Sequence, residues 1–187
     1  KSILKKNNKI RIATARAGNV IGGGDWSPDR LVPDCVKAWS SHKKVKIRNP
    51  NSTRPWQHVL EPLSGYIALS YILEKNRNIN GGSFNFGPNM NEVATVKKVL
   101  QISQKYWKDA RFKFYKEKFF KEDNLLKLNS TKANKVLKWK KILNLDKTLE
   151  LTMTWYNNFY QNKINVKRLL DSDINYYLKL KKNIFDE

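Results

Sequence analysis

Ala15-Arg16-Ala17-Gly18-Asn19-Val20-Ile21-Gly22-Gly23-Gly24-Asp25-Trp26 decides how the rest of the chain is read. Ahead of it, Ile10, Ile12 and Thr14 alternate with Arg11 and Ala13, and branched residues at period two mark a β-strand. Four glycines then fall within seven positions, which lets the backbone take positive φ and approach a neighbour closely. In α/β proteins ligands sit at the carboxyl ends of strands, where such loops lie. Asn19 is therefore expected to be held out at a strand end, facing a bound molecule. No Gly-Lys-Ser/Thr follows the glycines, and their spacing is not the dinucleotide fingerprint. On the residues alone, a plain tight turn is the simpler reading.

Outward from this stretch, strands and helices alternate. Leu31, Val32, Cys35, Val36 and Trp39 fall at helical spacing, and Pro33 is tolerated only in a first turn, which starts the helix near Arg30. Lys44 to Arg48 reads as a short strand and Asn49 to Ser52 as a turn. Glu61-Pro62 opens a helix whose buried stripe is expected to be Leu63, Tyr66, Ile67, Leu69, Ser70 and Leu73. Ser83 to Phe86 reads as a buried strand, Thr95 to Trp107 as an amphipathic helix and Arg111 to Tyr115 as an edge strand. Leu125 to Asn129 is expected to be a strand, leading through Ser130 or Thr131 into a helix that ends near Trp139. Leu149–Phe159 and Ile174–Leu180 are further helices, with 163–168 a linker between them. The pattern is α/β with an irregular second half.

Composition narrows the class. The 187 residues are 40% hydrophobic and 12% aromatic, enough for a globular core. No apolar run approaches the ~20 residues of a membrane span, and the start lacks a signal-peptide core. The single cysteine, Cys35, forms no internal disulfide or metal cluster, and a reducing, cytoplasmic setting is the simplest fit. The net charge of +21 raises nucleic-acid binding. The lysines, however, are scattered among Asn and Ile. No arginine-rich arm, helix-turn-helix or RNA-recognition signature is present. Nucleic acid is not the expected partner.

The candidate chemistry lies in cations near loop ends. Arg30, Arg48 and Arg54 have the fork geometry that suits phosphate or pyrophosphate. Trp26 and Trp56 suit stacking on a base or sugar, or burial in the core. His42 and His58 lack the partners of a zinc site, and His58, among apolar residues, is expected to be a packed histidine. Asp25, Asp29 and Asp34 crowd a helix N-terminus, which they favour electrostatically.

Ala15 to Trp26, Asp29-Arg30-Leu31-Val32-Pro33-Asp34-Cys35, Ile47-Arg48-Asn49-Pro50, Arg54 to Pro62 and Phe84-Asn85-Phe86-Gly87-Pro88 together resemble extended short-chain dehydrogenase/reductases. Within this NAD-dependent epimerase/dehydratase family, Gly-Gly-Gly-Asp-Trp and Arg-Pro-Trp-Gln-His resemble the CDP-glucose 4,6-dehydratase branch. The resemblance implies the C-terminal part of that fold: the last strands of an NAD-binding Rossmann sheet plus a smaller substrate-binding α/β domain. Residues 1–187 then form one incomplete unit. Residues 9–22 and 55–88 would be remnants of the Rossmann domain, and 23–54 and 89–187 mainly substrate domain and C-terminal helices.

By the same resemblance, the backbone of Ala17 and Gly18 would lie against the nicotinamide of NAD. Asn19 would bind the diphosphate or hexose, Arg30, Leu31 and Val32 would line the nucleotide pocket, and Arg54 would grip the pyrophosphate of a CDP-sugar. Arg48 and Glu122 would lie near the nucleotide. The implied reaction oxidises C4 of the hexose, eliminates water across C5–C6 and returns hydride to C6. The family's glycine fingerprint, Tyr-x-x-x-Lys pair and acid/base residues belong to an N-terminal half not found here. The chain is therefore expected to be inactive and self-associating alone, and to need a complementary N-terminal chain. Alternatives are a fragment of another nucleotide-sugar epimerase or dehydratase, and a basic nucleic-acid-binding module.

Overall fold

The computed structural model describes residues 10–89, 91–115, 127–161 and 164–185. Strands β1 (Thr14–Ala17) and β2 (Asn19–Ile21) are one extended run interrupted at Gly18. No side chain fits at this position, because a Cβ on Gly18 would lie 2.5 Å from the Pro55 carbonyl oxygen. Helix α1 (Leu31–Ser40) leads to β3 (Val45–Ile47) and β4 (Thr53–Arg54). Then come β5 (Trp56–His58), α2 (Leu60–Lys75), β6 (Ser83–Phe86), β7 (Ala94–Thr95) and α3 (Val96–Tyr106). Strand β8 (Phe112–Phe114) precedes helices α4 (Thr131–Leu137), α5 (Leu145–Tyr160) and α6 (Val166–Phe185).

Among the described residues, three strand pairs are parallel. Thr14 of β1 lies opposite Ser83 of β6, Asn19 of β2 opposite Trp56 of β5, and Val45 of β3 opposite Phe112 of β8. The fourth pair, β4 with β7, is antiparallel. Parallel neighbours require crossovers. Here α2 lies between β5 and β6 in the chain, and α1 between β2 and β3. Caps set two helix starts: Thr95 accepts the Lys98 N–H (3.1 Å) at α3, and Asn144 accepts the Lys147 N–H (2.8 Å) at α5.

Among the described residues, the apolar side chains form two cores. In the larger, Val32, Cys35, Val36 and Trp39 of α1 pack with Val99 and Leu100 of α3 and with Leu149, Met153 and Tyr156 of α5. In the smaller, Leu69 of α2 and Phe84 and Phe86 of β6 pack with Ala133, Leu137 and Trp139. Segment 131–139, expected with the substrate domain, thus packs on the strand expected to belong to the Rossmann sheet.

Several expectations are corrected. On α2, Leu63 and Ile67 are exposed, whereas Glu61, Pro62, Ser64, Gly65 and Leu69 are buried. A Cβ on Gly65 would lie 2.2 Å from the Phe86 ring, so β6 sits against the helix face that carries glycine. The opening strand begins at Thr14 rather than near residue 10. Lys127–Asn129 form no strand, while residues 125 and 126 lie outside the described residues. Most of the expected linker at 163–168 belongs instead to the 20-residue α6 or leads directly into it.

Candidate functional site

A cavity of ≈600 Å³ opens where β2 ends and α1 begins, and Asn19, Arg30, Leu31, Val32, Arg48 and Arg54 all line it. Asp29 takes φ 59° just ahead of the helix, a left-handed turn that Asp tolerates better than most residues. It brings the first turn of α1 to the cavity wall. The N–H groups of that turn have no intrahelical acceptor and carry the positive end of the helix dipole. Pro33 occupies the same turn and loses no hydrogen bond there.

The lower wall comes from β3 to β5. Arg48 follows β3, Arg54 ends β4, and Arg54 donates to the Thr53 carbonyl (2.9 Å). Trp56 is buried, with its indole N–H on the Ala94 carbonyl (3.1 Å), so it contributes an apolar wall rather than a free stacking plate. Val45, Ile47 and Val96 add apolar surface, and Asp25, Asp29 and Asp34 add carboxylates. Burial raises the Asp34 pKa, Lys37 lowers it and Asp29 raises it further. Three guanidinium groups, a helix N-terminus and an apolar patch, beside three carboxylates, give this cavity chemistry suited to a phosphate ester.

A second cavity of ≈280 Å³ adjoins through shared residues. Ala17, Gly18, Asn19, Val20 and Arg30 line it with Pro55, Lys127 and Leu128. Arg30 therefore faces both spaces. Glu122 lies outside the described residues.

The glycine run makes the close approach that its composition implied. A Cβ on Gly23 would lie 2.1 Å from the Trp155 ring, and one on Gly22 would lie 2.8 Å from Val59. The close approaches are to Trp155 of α5 and to Val59, just ahead of α2. Trp26 is likewise engaged, edge-on to Tyr156 and Tyr160 and tilted against Phe159 at 5.1–5.7 Å between ring centroids. The residues that anchor this loop, Trp155 and Tyr156, lie some 130 positions away. Their sequence signals were an aromatic pair on a helix and a likeness of Trp155-Tyr156 to the family's closing segment.

His58 is 1% exposed. Its Nδ1 accepts the Leu60 N–H at 3.4 Å, Nε2 is buried without a hydrogen-bond partner among the described residues, and burial pushes its pKa down to about 4. Cys35 is buried in the larger core, which pushes its thiol pKa up. Among the described residues no group of His, Cys, Asp and Glu is arranged to hold a metal ion, and no helix is long and apolar enough to cross a membrane.

Tyr and Lys four apart do occur twice. Tyr71 and Lys75 contact each other on exposed α2. Tyr177, ahead of Lys181, is buried with its hydroxyl on Glu61 (2.9 Å) and Ser64 (3.0 Å). Neither pair lines either cavity.

No protein-family model matches the chain. Its fold matches solved nucleotide-sugar enzymes. UDP-glucuronic acid 4-epimerase from Bacillus cereus, solved with UDP-glucuronic acid and NAD, superposes with a TM-score of 0.69 at 23% identity over 85% of this chain and 49% of that one. For dTDP-glucose 4,6-dehydratase from Bacillus anthracis, solved with NAD, the TM-score is 0.65 at 22% identity over 83% and 48%. The chain therefore has part of the fold of the NAD-dependent epimerase/dehydratases, within the extended short-chain dehydrogenase/reductases. In sequence it is a relative of CDP-glucose 4,6-dehydratase: that of Salmonella typhimurium is 41% identical over 148 residues, 79% of this chain and 41% of that protein. The chain spans about half the length, or less, of the proteins it matches.

Proposed function

We propose that the chain is the nucleotide-sugar-binding part of a CDP-glucose 4,6-dehydratase. The observation that carries this reading is the convergence of Asn19, Arg30, Leu31, Val32, Arg48 and Arg54, drawn from four separate segments, on one cavity at a helix N-terminus. The diphosphate lies among Arg30, Arg54 and the first N–H groups of α1, with Arg48 nearby. Leu31 and Val32 meet the nucleoside, and the Asn19 amide orients the hexose or the diphosphate. Glu122 is retained as a further nucleotide contact.

The smaller cavity fits the ring-sized end of NAD, with Ala17 and Gly18 as its wall. Among the described residues no glycine-rich loop for the dinucleotide's pyrophosphate accompanies it. When bound, NAD supplies the hydride chemistry of the overall conversion of CDP-glucose to CDP-4-keto-6-deoxyglucose and water. The residues of this chain bind and orient. The acid/base groups that turnover requires are assigned to a complementary N-terminal part. Residues 9–22 and 55–88 are assigned to the cofactor side, and 23–54 and 89–187 mainly to the substrate side. The setting is cytoplasmic.

Thermal unfolding with CDP-glucose, CDP, UDP-glucose, dTDP-glucose and RNA tests the reading. CDP-glucose raises the melting temperature most, and Arg54→Ala abolishes the rise. A larger rise with UDP- or dTDP-glucose transfers the site to another epimerase or dehydratase. Salt-sensitive RNA binding with no nucleotide-sugar effect overturns the proposal.

A further inference from the structure

The segments that carry β3 and β8 share one pattern. Along Lys44-Val45-Lys46-Ile47-Arg48 and along Arg111-Phe112-Lys113-Phe114-Tyr115, exposed residues alternate with covered ones, because successive strand side chains point to opposite faces. Inward, Ile47 is buried, and Val45, Phe112 and Phe114 pack against the larger core. Outward stand Lys44, Lys46, Arg48, Arg111, Lys113 and Tyr115, five cations at six positions. The parallel register sets Lys46 directly opposite Lys113. The Val45 N–H on the Arg111 carbonyl (3.0 Å) and the Tyr115 N–H on the Ile47 carbonyl (3.0 Å) carry the ladder past both ends.

Like charges directly opposite each other destabilise a sheet. No ion pair with a described residue relieves Lys44, Lys46, Arg111 or Lys113, and the carboxylate of nearby Asp109 lies 3.5 Å from His42 instead. The face therefore carries an electrostatic cost that folding does not require. The row leads to the site: Lys46 and Arg48 line the larger cavity, whereas Lys44, Arg111 and Lys113 do not. Neighbouring charges of one sign add their potentials, and a cleft at the end of such a row concentrates counter-ions within it.

We propose that the outward face of β3 and β8 is a capture surface for the anionic substrate. During encounter it draws the diphosphate of a nucleotide sugar toward Arg48 and the cavity, and it does not hold the ligand once bound. The proposal rests on the nucleotide-sugar reading above and adds an association step to it. Lys44, Arg111 and Lys113 act through space on the approaching diphosphate, and Lys46 continues their field to the cavity rim. Charged side chains also blunt open strand edges, but that role by itself leaves the rate of ligand association unchanged.

Stopped-flow tryptophan fluorescence of the full chain, with Trp56 in the cavity wall as reporter, measures CDP-glucose association and dissociation. In Lys44→Gln/Lys113→Gln the association rate constant falls about three- to tenfold at an ionic strength of ~10 mM. Dissociation stays within about 1.5-fold, as for a charge that steers without contact. The difference disappears at ~0.5 M salt, where screening shortens the reach of the field. Removing two exposed charges from α6 instead, in Lys179→Gln/Lys182→Gln, changes association by less than about 1.5-fold. Lys46→Glu sets opposite charges across the two strands, so urea unfolding shows an equal or higher stability, while association slows. Structural damage does not combine those two effects. Equal slowing by the α6 variant, a change confined to dissociation, or a rate difference that ignores salt overturns the capture surface alone. Failure of the natural chain to bind CDP-glucose at any salt concentration overturns both it and the nucleotide-sugar reading.

Discussion

The hydroxyl of Tyr156 holds both main-chain polar groups of Asp25, accepting its N–H at 3.0 Å and donating to its carbonyl at 2.6 Å. One side chain of α5 thereby stands in for a strand neighbour and fixes the end of the glycine loop. Lys37 adds a bond to the Trp26 carbonyl (2.7 Å) from α1. The loop that shapes the cavity rim is therefore held from two helices.

Tyr156→Phe keeps the ring contacts and removes both bonds. Stability should fall by about 1–3 kcal/mol, the cost of leaving partly buried main-chain groups unpaired. Urea unfolding measures the loss, and faster amide exchange at Asp25 than at Ile21 shows that it is local to the loop.

Gly23→Ala places a methyl group within the volume of the Trp155 ring, which already stacks on Phe159 at 5.4 Å. A stacked indole cannot give way as a flexible chain end does. Destabilisation of about 2–3 kcal/mol is expected from overpacking. Gly24→Ala acts by another route, since Gly24 has φ 82° and its Cβ would meet Trp155 only at 3.7 Å. Its cost is backbone strain of about 1–2 kcal/mol. Parallel thermal and urea unfolding of the two variants gives the order.

Acidification should weaken the fold through His58. Its pKa is about 6.5 unfolded and about 4 folded, so the unfolded chain binds more protons between those values. The contribution is complete above pH 6.5 and is lost as pH falls toward 4, amounting to about 3 kcal/mol. Glu61 works in the opposite sense: burial raises its pKa, so its contribution is present at low pH and lost as pH rises. The measurement is therefore the difference in unfolding free energy between the natural chain and His58→Gln at pH 7 and pH 4. That difference should narrow by most of the His58 contribution as pH falls.

Arg30 lines both cavities. Arg30→Ala should weaken CDP-glucose binding by about ten- to a hundredfold, as expected for losing a charge-assisted phosphate contact. Unfolding of the unliganded variant should change by less than about 0.5 kcal/mol, because Arg30 is an exposed side chain. Calorimetric titration and urea unfolding separate the two effects.

Much of the site was legible locally. A strand running into Gly18 and Asn19, a proline restricted to a first helical turn and arginines beside loops each depend on neighbours within a few positions. Those features placed Asn19, Arg30 and Arg54 at element ends. The inward face of α2 was not legible in this way. Leu63 and Ile67 have the spacing of a buried stripe, but the buried side carries Glu61 instead. Its carboxylate accepts the N–H groups of Ile142 (2.9 Å) and Leu143 (2.6 Å) and the hydroxyl of Tyr177 (2.9 Å). Partners 81 to 116 positions away turn a charged residue inward, and no periodicity in α2 announces them.

The amino-acid order by itself determined where α1 starts and which side chains have phosphate-binding chemistry, since these follow from backbone permissions and short-range spacing. The tertiary structure alone decided that Arg30, Arg48 and Arg54 share one cavity, that the glycines seat Trp155, and that β3 pairs with β8. Those outcomes depend on which distant surfaces meet, and close packing selects among them only once the chain has folded.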